Sequence, residues 1–124
     1  MTAISRRICL ASELADAGAG VRFRVKKKGE IHPAFAVRHG GRVFAYINAC
    51  AHRAVELDWV PGEFFDAERQ HLICATHGAR YEPTTGACVA GPCGKHGLVS
   101  IALREENGVV YLVHTDDLDL CEDN

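Results

Sequence analysis

Between residues 21 and 26 the chain reads VRFRVK, so Val21, Phe23 and Val25 share one face and Arg22, Arg24 and Lys26 the other. A period of two marks a strand with one buried face. Two more strands are predicted at IHPAFAVRH (31–39) and RVFAYIN (42–48), joined by Gly40-Gly41, a dipeptide that accepts the positive φ angles of a tight hairpin. Residues 98–113, LVSIALREENGVVYLV, predict a further hairpin turning at Asn107-Gly108. Only ASELADAG (11–18) has helical character, and it is too short to hold a helix by itself. No repeat or low-complexity run interrupts the pattern. These elements predict an all-β fold, an antiparallel sandwich or barrel, with long loops between about 48 and 97.

Composition narrows the possible functions. The chain has 124 residues, 48% hydrophobic and 24% charged, which suits a single globular domain over residues 1–113. No segment approaches the roughly 20 apolar residues that span a bilayer, and MTAISRRICLASEL lacks the apolar stretch of a signal peptide. A cytoplasmic protein without a membrane partner is the expectation. Six cysteines in such a chain read as metal ligands or thiols before disulfides. A net charge of −2 argues against nucleic acid as a partner. Five acids and no Lys or Arg fall in residues 114–124, an acidic C-terminal tail expected to be frayed and solvated.

The chemistry concentrates in the loops. Cys50 and His52 follow the strand RVFAYIN with one residue between them, and Cys74 and His77 follow HLIC with two. Gly78 then lets the backbone approach a site closely or adopt a conformation forbidden to other residues. The pattern is Cys-x-His, 21 residues, Cys-x-x-His. Two thiols and two imidazoles suit a Cys2His2 zinc site, which would make this a structural module. They suit equally an iron–sulfur centre with mixed ligands, which would make it an electron carrier. A one-residue Cys-x-His pair in a β context is unusual for zinc modules, whose paired ligands commonly lie two to four residues apart.

The segments CAHRAVEL (50–57), CATHGARYEPTTG (74–86) and GPCGKHGL (91–98) together resemble the Rieske [2Fe–2S] proteins. The likeness extends over most of residues 20–113 and implies a Rieske-like β sandwich or barrel with a cluster-binding loop subdomain. It implies one [2Fe–2S] cluster per chain, with Cys50 and Cys74 on one iron and His52 and His77 on the other. Neutral imidazoles in place of two thiolates raise the potential of such a cluster. The resemblance also makes Tyr81 a hydrogen-bond donor to a ligand sulfur and Gly78 part of the cluster's surroundings.

Three family features are missing. The positions of the disulfide that joins the loops in respiratory and photosynthetic members hold Val55 and Thr76, and Ala79 stands where those members carry a serine. No apolar segment long enough for a transmembrane anchor is read in these residues, so a soluble ferredoxin-type member is the expected match. The resemblance then implies a non-catalytic electron carrier whose partners are a flavoprotein reductase and a terminal oxygenase. The small subunit of a nitrite-reductase-like complex is the alternative within the family.

The remaining candidates are read conservatively. Cys88 and Cys93 flank Val89-Ala90-Gly91-Pro92, where a redox pair is one reading; a small core residue and a loop thiol is the other and the preferred one. Trp59, Phe64 and Phe65 are expected to pack together under the loops, with Pro61-Gly62 turning the chain back toward HLIC. Arg53, Arg80 and Lys95-His96 are candidates for a basic rim around the ligand loops. The other histidines, His32, His39, His71 and His114, are expected on surfaces or strand faces.

Overall fold

In a computed structural model the described residues are 6–50, 55–76, 78–93 and 96–121. Eleven strands run in chain order among them: β1 (Arg7–Leu10), β2 (Val21–Lys27), β3 (Glu30–His39), β4 (Arg42–Ile47), β5 (Leu72–Ile73), β6 (Arg80–Tyr81), β7 (Cys88–Ala90), β8 (Ser100–Ile101), β9 (Leu103–Glu106), β10 (Val109–Leu112) and β11 (Leu118–Leu120). The all-β expectation therefore holds. Three antiparallel sheets result, ordered β1-β10-β9, β11-β2-β3-β4-β8 and β5-β6-β7.

Strands β3 and β4 are the partition of the molecule. Alternate residues serve two separate cores: Ala34, Ala36, Ala45 and Ile47 face one, while Phe35, Val37, Phe44 and Tyr46 face the other. The first core lies against the β1-β10-β9 sheet and includes Phe23, Val25, Val110 and Leu112. The second lies under the loops and contains Leu57, Phe64, Leu72 and Tyr81 with Cys50 and Cys74. Small side chains on one face and aromatic ones on the other fill two spaces of different depth.

The hairpin turns form where the glycines direct them. Asn107 and Gly108 have φ of 51° and 78°, and Gly40 and Gly41 have 62° and 82°. Both pairs give the left-handed turn whose twist matches that of the flanking strands. The segment 98–113 departs from a plain hairpin. β8 pairs with β4 in the five-stranded sheet, and β9 pairs with β10 in the three-stranded one, so the chain changes sheets at Ala102.

Two expectations are corrected here. Residues 11–18 form no α-helix; a single 3-10 turn spans Ala11–Glu13, where the Glu13 carboxylate accepts the Leu10 N–H at 2.7 Å. The acidic tail, expected to fray, instead supplies β11. Leu118, Asp119 and Leu120 pair with Lys27, Lys26 and Val25, placing acid beside the basic strand. Asp119 also accepts two hydrogen bonds from Arg6, at 2.8 and 3.1 Å. Burial of Leu118 and Leu120 against the first core anchors the segment. Among the described residues, no helix is long and apolar enough to cross a membrane.

Candidate metal centre

Each cysteine loop is closed by the backbone of its own cysteine. The Cys50 N–H donates to the Val55 carbonyl at 2.7 Å, and the Cys74 N–H donates to the Ala79 carbonyl at 2.8 Å. Both rings span six residues, so the two loops have the same hydrogen-bonded frame despite their different ligand spacing. A third bond, from Ala75 N–H to the Leu57 carbonyl at 3.0 Å, ties the second loop to the exit of the first.

Gly78 has a φ of +76°, and space is open where a Cβ would project. Of the two roles expected for it, conformation is the operative one. Its N–H donates to the Cys74 carbonyl at 2.8 Å and tightens the turn.

Cys50 and Cys74 are both buried and belong to one apolar cluster. The Tyr81 hydroxyl reaches the Cys50 sulfur at 3.4 Å from the floor of β6. Sulfur ligands buried from water beside a hydroxyl donor form a setting for a thiophilic metal, because thiolate charge there needs a positive partner and a hydrogen bond. Of the predicted site residues, the structure thus assembles Cys50, Cys74 and Tyr81, with Gly78 shaping the second loop. His52 and His77 lie outside the described residues. So do Arg53 and Lys95 of the proposed basic rim. Arg80 is half-buried and its charge acts on Asp66, while His96 is exposed with its N–H donated to the Cys93 carbonyl at 3.0 Å.

A buried polar brace that the sequence reading missed supports the first loop. Asn48 accepts the Leu57 N–H at 2.8 Å and donates to Asp58 at 2.9 Å. The other Asp58 oxygen accepts the Gly62 N–H at 2.9 Å and lies 3.4 Å from Arg22. Asn48 directly follows β4 at a position where an apolar residue would continue the strand pattern, which was the available signal.

This brace also corrects the aromatic reading. Asp58 turns inward, and the adjoining Trp59, just before the turn, is 80% exposed. Phe64 is fully buried and stacks on Phe35, with ring centroids 4.0 Å apart. Phe65 is half-buried, stacks on His39 at 5.9 Å, and bridges to Leu72, so the Pro61-Gly62 turn does return the chain to β5. His71 lies 3.6 Å from the buried Asp66. Burial would raise the Asp66 pKa, but N–H donation from Gln70 and His71 and the nearby Arg80 hold it below the usual carboxylate value.

The two cysteines read as separate thiols, Cys88 and Cys93, are joined in a disulfide. The turn at Gly91 folds Cys93 back beside β7, which a linear reading of the spacing did not anticipate.

The family model described as the Rieske [2Fe-2S] domain matches residues 6–111. Among solved structures, the ferredoxin of carbazole 1,9a-dioxygenase from Nocardioides aromaticivorans IC177 superposes with a TM-score of 0.69 at 23% identity. The match covers 91% of this chain and all of that one. The Sphingomonas yanoikuyae B1 ferredoxin gives 0.69 at 21% identity, over 90% of this chain and 100% of its own. A chain from the complex of reduced oxygenase and oxidized ferredoxin in carbazole 1,9a-dioxygenase gives 0.67 at 22%, covering 86% and 99%. Among curated proteins, none matches.

Proposed function

This chain belongs to the family of Rieske [2Fe–2S] domains, and from that premise we propose that it carries single electrons between a flavoprotein reductase and a terminal oxygenase in the cytoplasm. The observation that carries the reading is the buried pair Cys50 and Cys74, framed by matching backbone rings, with the Tyr81 hydroxyl on the Cys50 sulfur. The partner class draws support from the fold's likeness to ferredoxins of oxygenase systems, one of them in complex with its oxygenase.

When bound, a [2Fe–2S] cluster supplies a site that takes up and releases one electron without a change of ligands. The chain's residues do the rest. Cys50 and Cys74 would hold the group through thiolates, and His52 and His77 would hold it through neutral imidazoles. Tyr81 donates to the Cys50 sulfur and offsets negative charge there. Leu57, Leu72 and Phe64 keep water from the sulfur side. The Asn48–Asp58 brace fixes the loop that carries Cys50 and His52.

The test is a redox titration of the purified protein followed by absorption and electron paramagnetic resonance. A brown protein with a single one-electron transition is expected, lost together with the visible spectrum in His77→Ala or His52→Ala. A colourless protein that binds one zinc and shows no redox transition would overturn the assignment.

A further inference from the structure

We propose that Cys88 and Cys93 form a thiol–disulfide exchange site whose closure clamps the loop carrying Cys74, and that a dithiol reductant opens it. The two Cα atoms are 5.9 Å apart, inside the range that a disulfide spans without backbone movement. The four residues between them, Val89 to Pro92, are all exposed. Cys93 is 2% exposed, whereas Cys88 is only partly covered, so an incoming thiolate meets the Cys88 sulfur first.

The enclosed turn lies directly on the second cysteine loop. Gly91 has a φ of +86°, and a Cβ there would fall 2.8 Å from the Ala79 Cα and 2.9 Å from the Gly78 carbonyl oxygen. In the adjoining ladder Ala90 pairs with Arg80 and Cys88 with Tyr81, with a register shift between them. A three-residue strand held by two such pairs is marginal by itself. The covalent link therefore holds the turn against Gly78 and Ala79.

As a staple for the whole chain this disulfide does little. Its loop is short, and the stabilisation a disulfide gives through the unfolded state grows with loop length. Its effect is local, on the loop it covers.

The exchange balances simply. One thiolate of the dithiol attacks the Cys88 sulfur, the Cys88–Cys93 bond breaks, and its electron pair leaves on Cys93, which takes a proton. The second thiolate of the reductant then displaces Cys88 from the mixed disulfide. Two electrons and two protons pass to the chain, and the reductant leaves as its own disulfide.

The test uses the intact, cluster-loaded chain in buffers of reduced and oxidised dithiothreitol at set ratios, quenched with N-ethylmaleimide and read by peptide mass spectrometry. Cys88 and Cys93 should become labelled together in one two-electron transition without unfolding. Cys9 serves as the internal control, since burial raises its thiol pKa to about 11 and keeps it unreactive. Hydrogen exchange at the Cys74 and Gly78 amides should quicken about tenfold on reduction, while the Phe35 amide stays unchanged. The Cys88→Ser, Cys93→Ser double variant should match reduced wild type, which itself gives the same reading if that variant folds poorly. With oxidised glutathione, Cys93→Ser should form an adduct at Cys88, and Cys88→Ser none at Cys93. Resistance of the pair to dithiothreitol until the chain unfolds would overturn the proposal. So would reduction without any change at Cys74 and Gly78, or an adduct that forms at Cys93 instead.

Discussion

The Tyr81 hydroxyl lies 3.4 Å from the Cys50 sulfur, inside the apolar cluster that holds both cysteine loops. Against a thiolate the hydroxyl is the donor, and its bond strengthens as charge on sulfur increases. Tyr81→Phe should therefore lower the reduction potential with the visible spectrum intact. A hydrogen bond to a charged group contributes about 1.5–3 kcal/mol, and only the part that differs between redox states appears in the potential. The expected fall is tens of millivolts, where roughly 59 mV is a tenfold change for one electron. Spectroelectrochemistry of the two proteins checks it.

Metal removal should loosen the loops without unfolding the strands. Among the described residues, the proposed ligands Cys50 and Cys74 sit inside the second core and not in the one beneath β1-β10-β9. Chelation should raise hydrogen exchange in residues 55–93 and leave β2 and β3 protected, because ligand binding energy stabilises only the part that forms the site. Uniform loss of protection would show that the two cores unfold as one.

The aromatic residues 59 and 64 should differ sharply. Phe64→Ala opens a cavity beneath the stacked Phe35 and is expected to cost about 3–5 kcal/mol. Trp59→Ala removes an exposed side chain and should stay within about 0.5 kcal/mol of wild type. Urea denaturation of the two variants measures both.

Asn48→Ala leaves the Leu57 N–H and one Asp58 oxygen without their buried partners. Each orphaned group costs about 1–3 kcal/mol, so the variant should be destabilised and should take up the cluster more slowly. Denaturation midpoints and cluster-reconstitution rates test the two effects. An undisturbed midpoint would remove the brace from the account of the first loop.

Acid should weaken the fold through three carboxylates. Hydrogen bonds from Arg6 lower the Asp119 pKa and those from Arg38 lower that of Glu105; at Asp66 burial is outweighed by the Gln70 and His71 N–H groups together with the Arg80 and His71 charges. A carboxylate with a depressed folded-state pKa stabilises the fold fully above its unfolded value. That contribution is lost as pH falls through the folded value. Stability should thus hold from pH 7 to about 5 and decline below it, and Arg38→Met should flatten part of the decline. Denaturant midpoints across pH 3–7 provide the measurement.

Local signals were the legible ones. The strands β2, β3 and β4 followed from side-chain alternation and from glycines at their turns. Spacing within single loops singled out Cys50 and Cys74, which the fold buries in one cluster. What escaped depended on pairs far apart along the chain. That β3 and β4 are buried on both faces reflects a second core built by residues 50–98, which alternation in one strand does not reveal. β5, β6 and β7 are two or three residues long and too short to show a period. Trp59 was misplaced: the adjoining Asp58 turns inward toward Asn48, and Trp59 itself is exposed. The β11 strand had a signal in the alternation Asp117, Leu118, Asp119, Leu120, hidden by its charge.

That short acidic strand also governs how the molecule meets its own copies. Without β11, β2 would end a four-stranded sheet with a seven-residue row of open backbone groups, long enough to template another chain. β11 covers part of that row, with Lys28 N–H donating to the Asp117 carbonyl at 2.8 Å and Cys121 N–H to the Arg24 carbonyl at 3.1 Å. The margin it presents instead is three residues long and carries Asp119. The C-terminal segment is in this sense a guard against fibre growth and self-association: a chain shortened before Thr115 would expose the β2 ladder and lose solubility at high concentration.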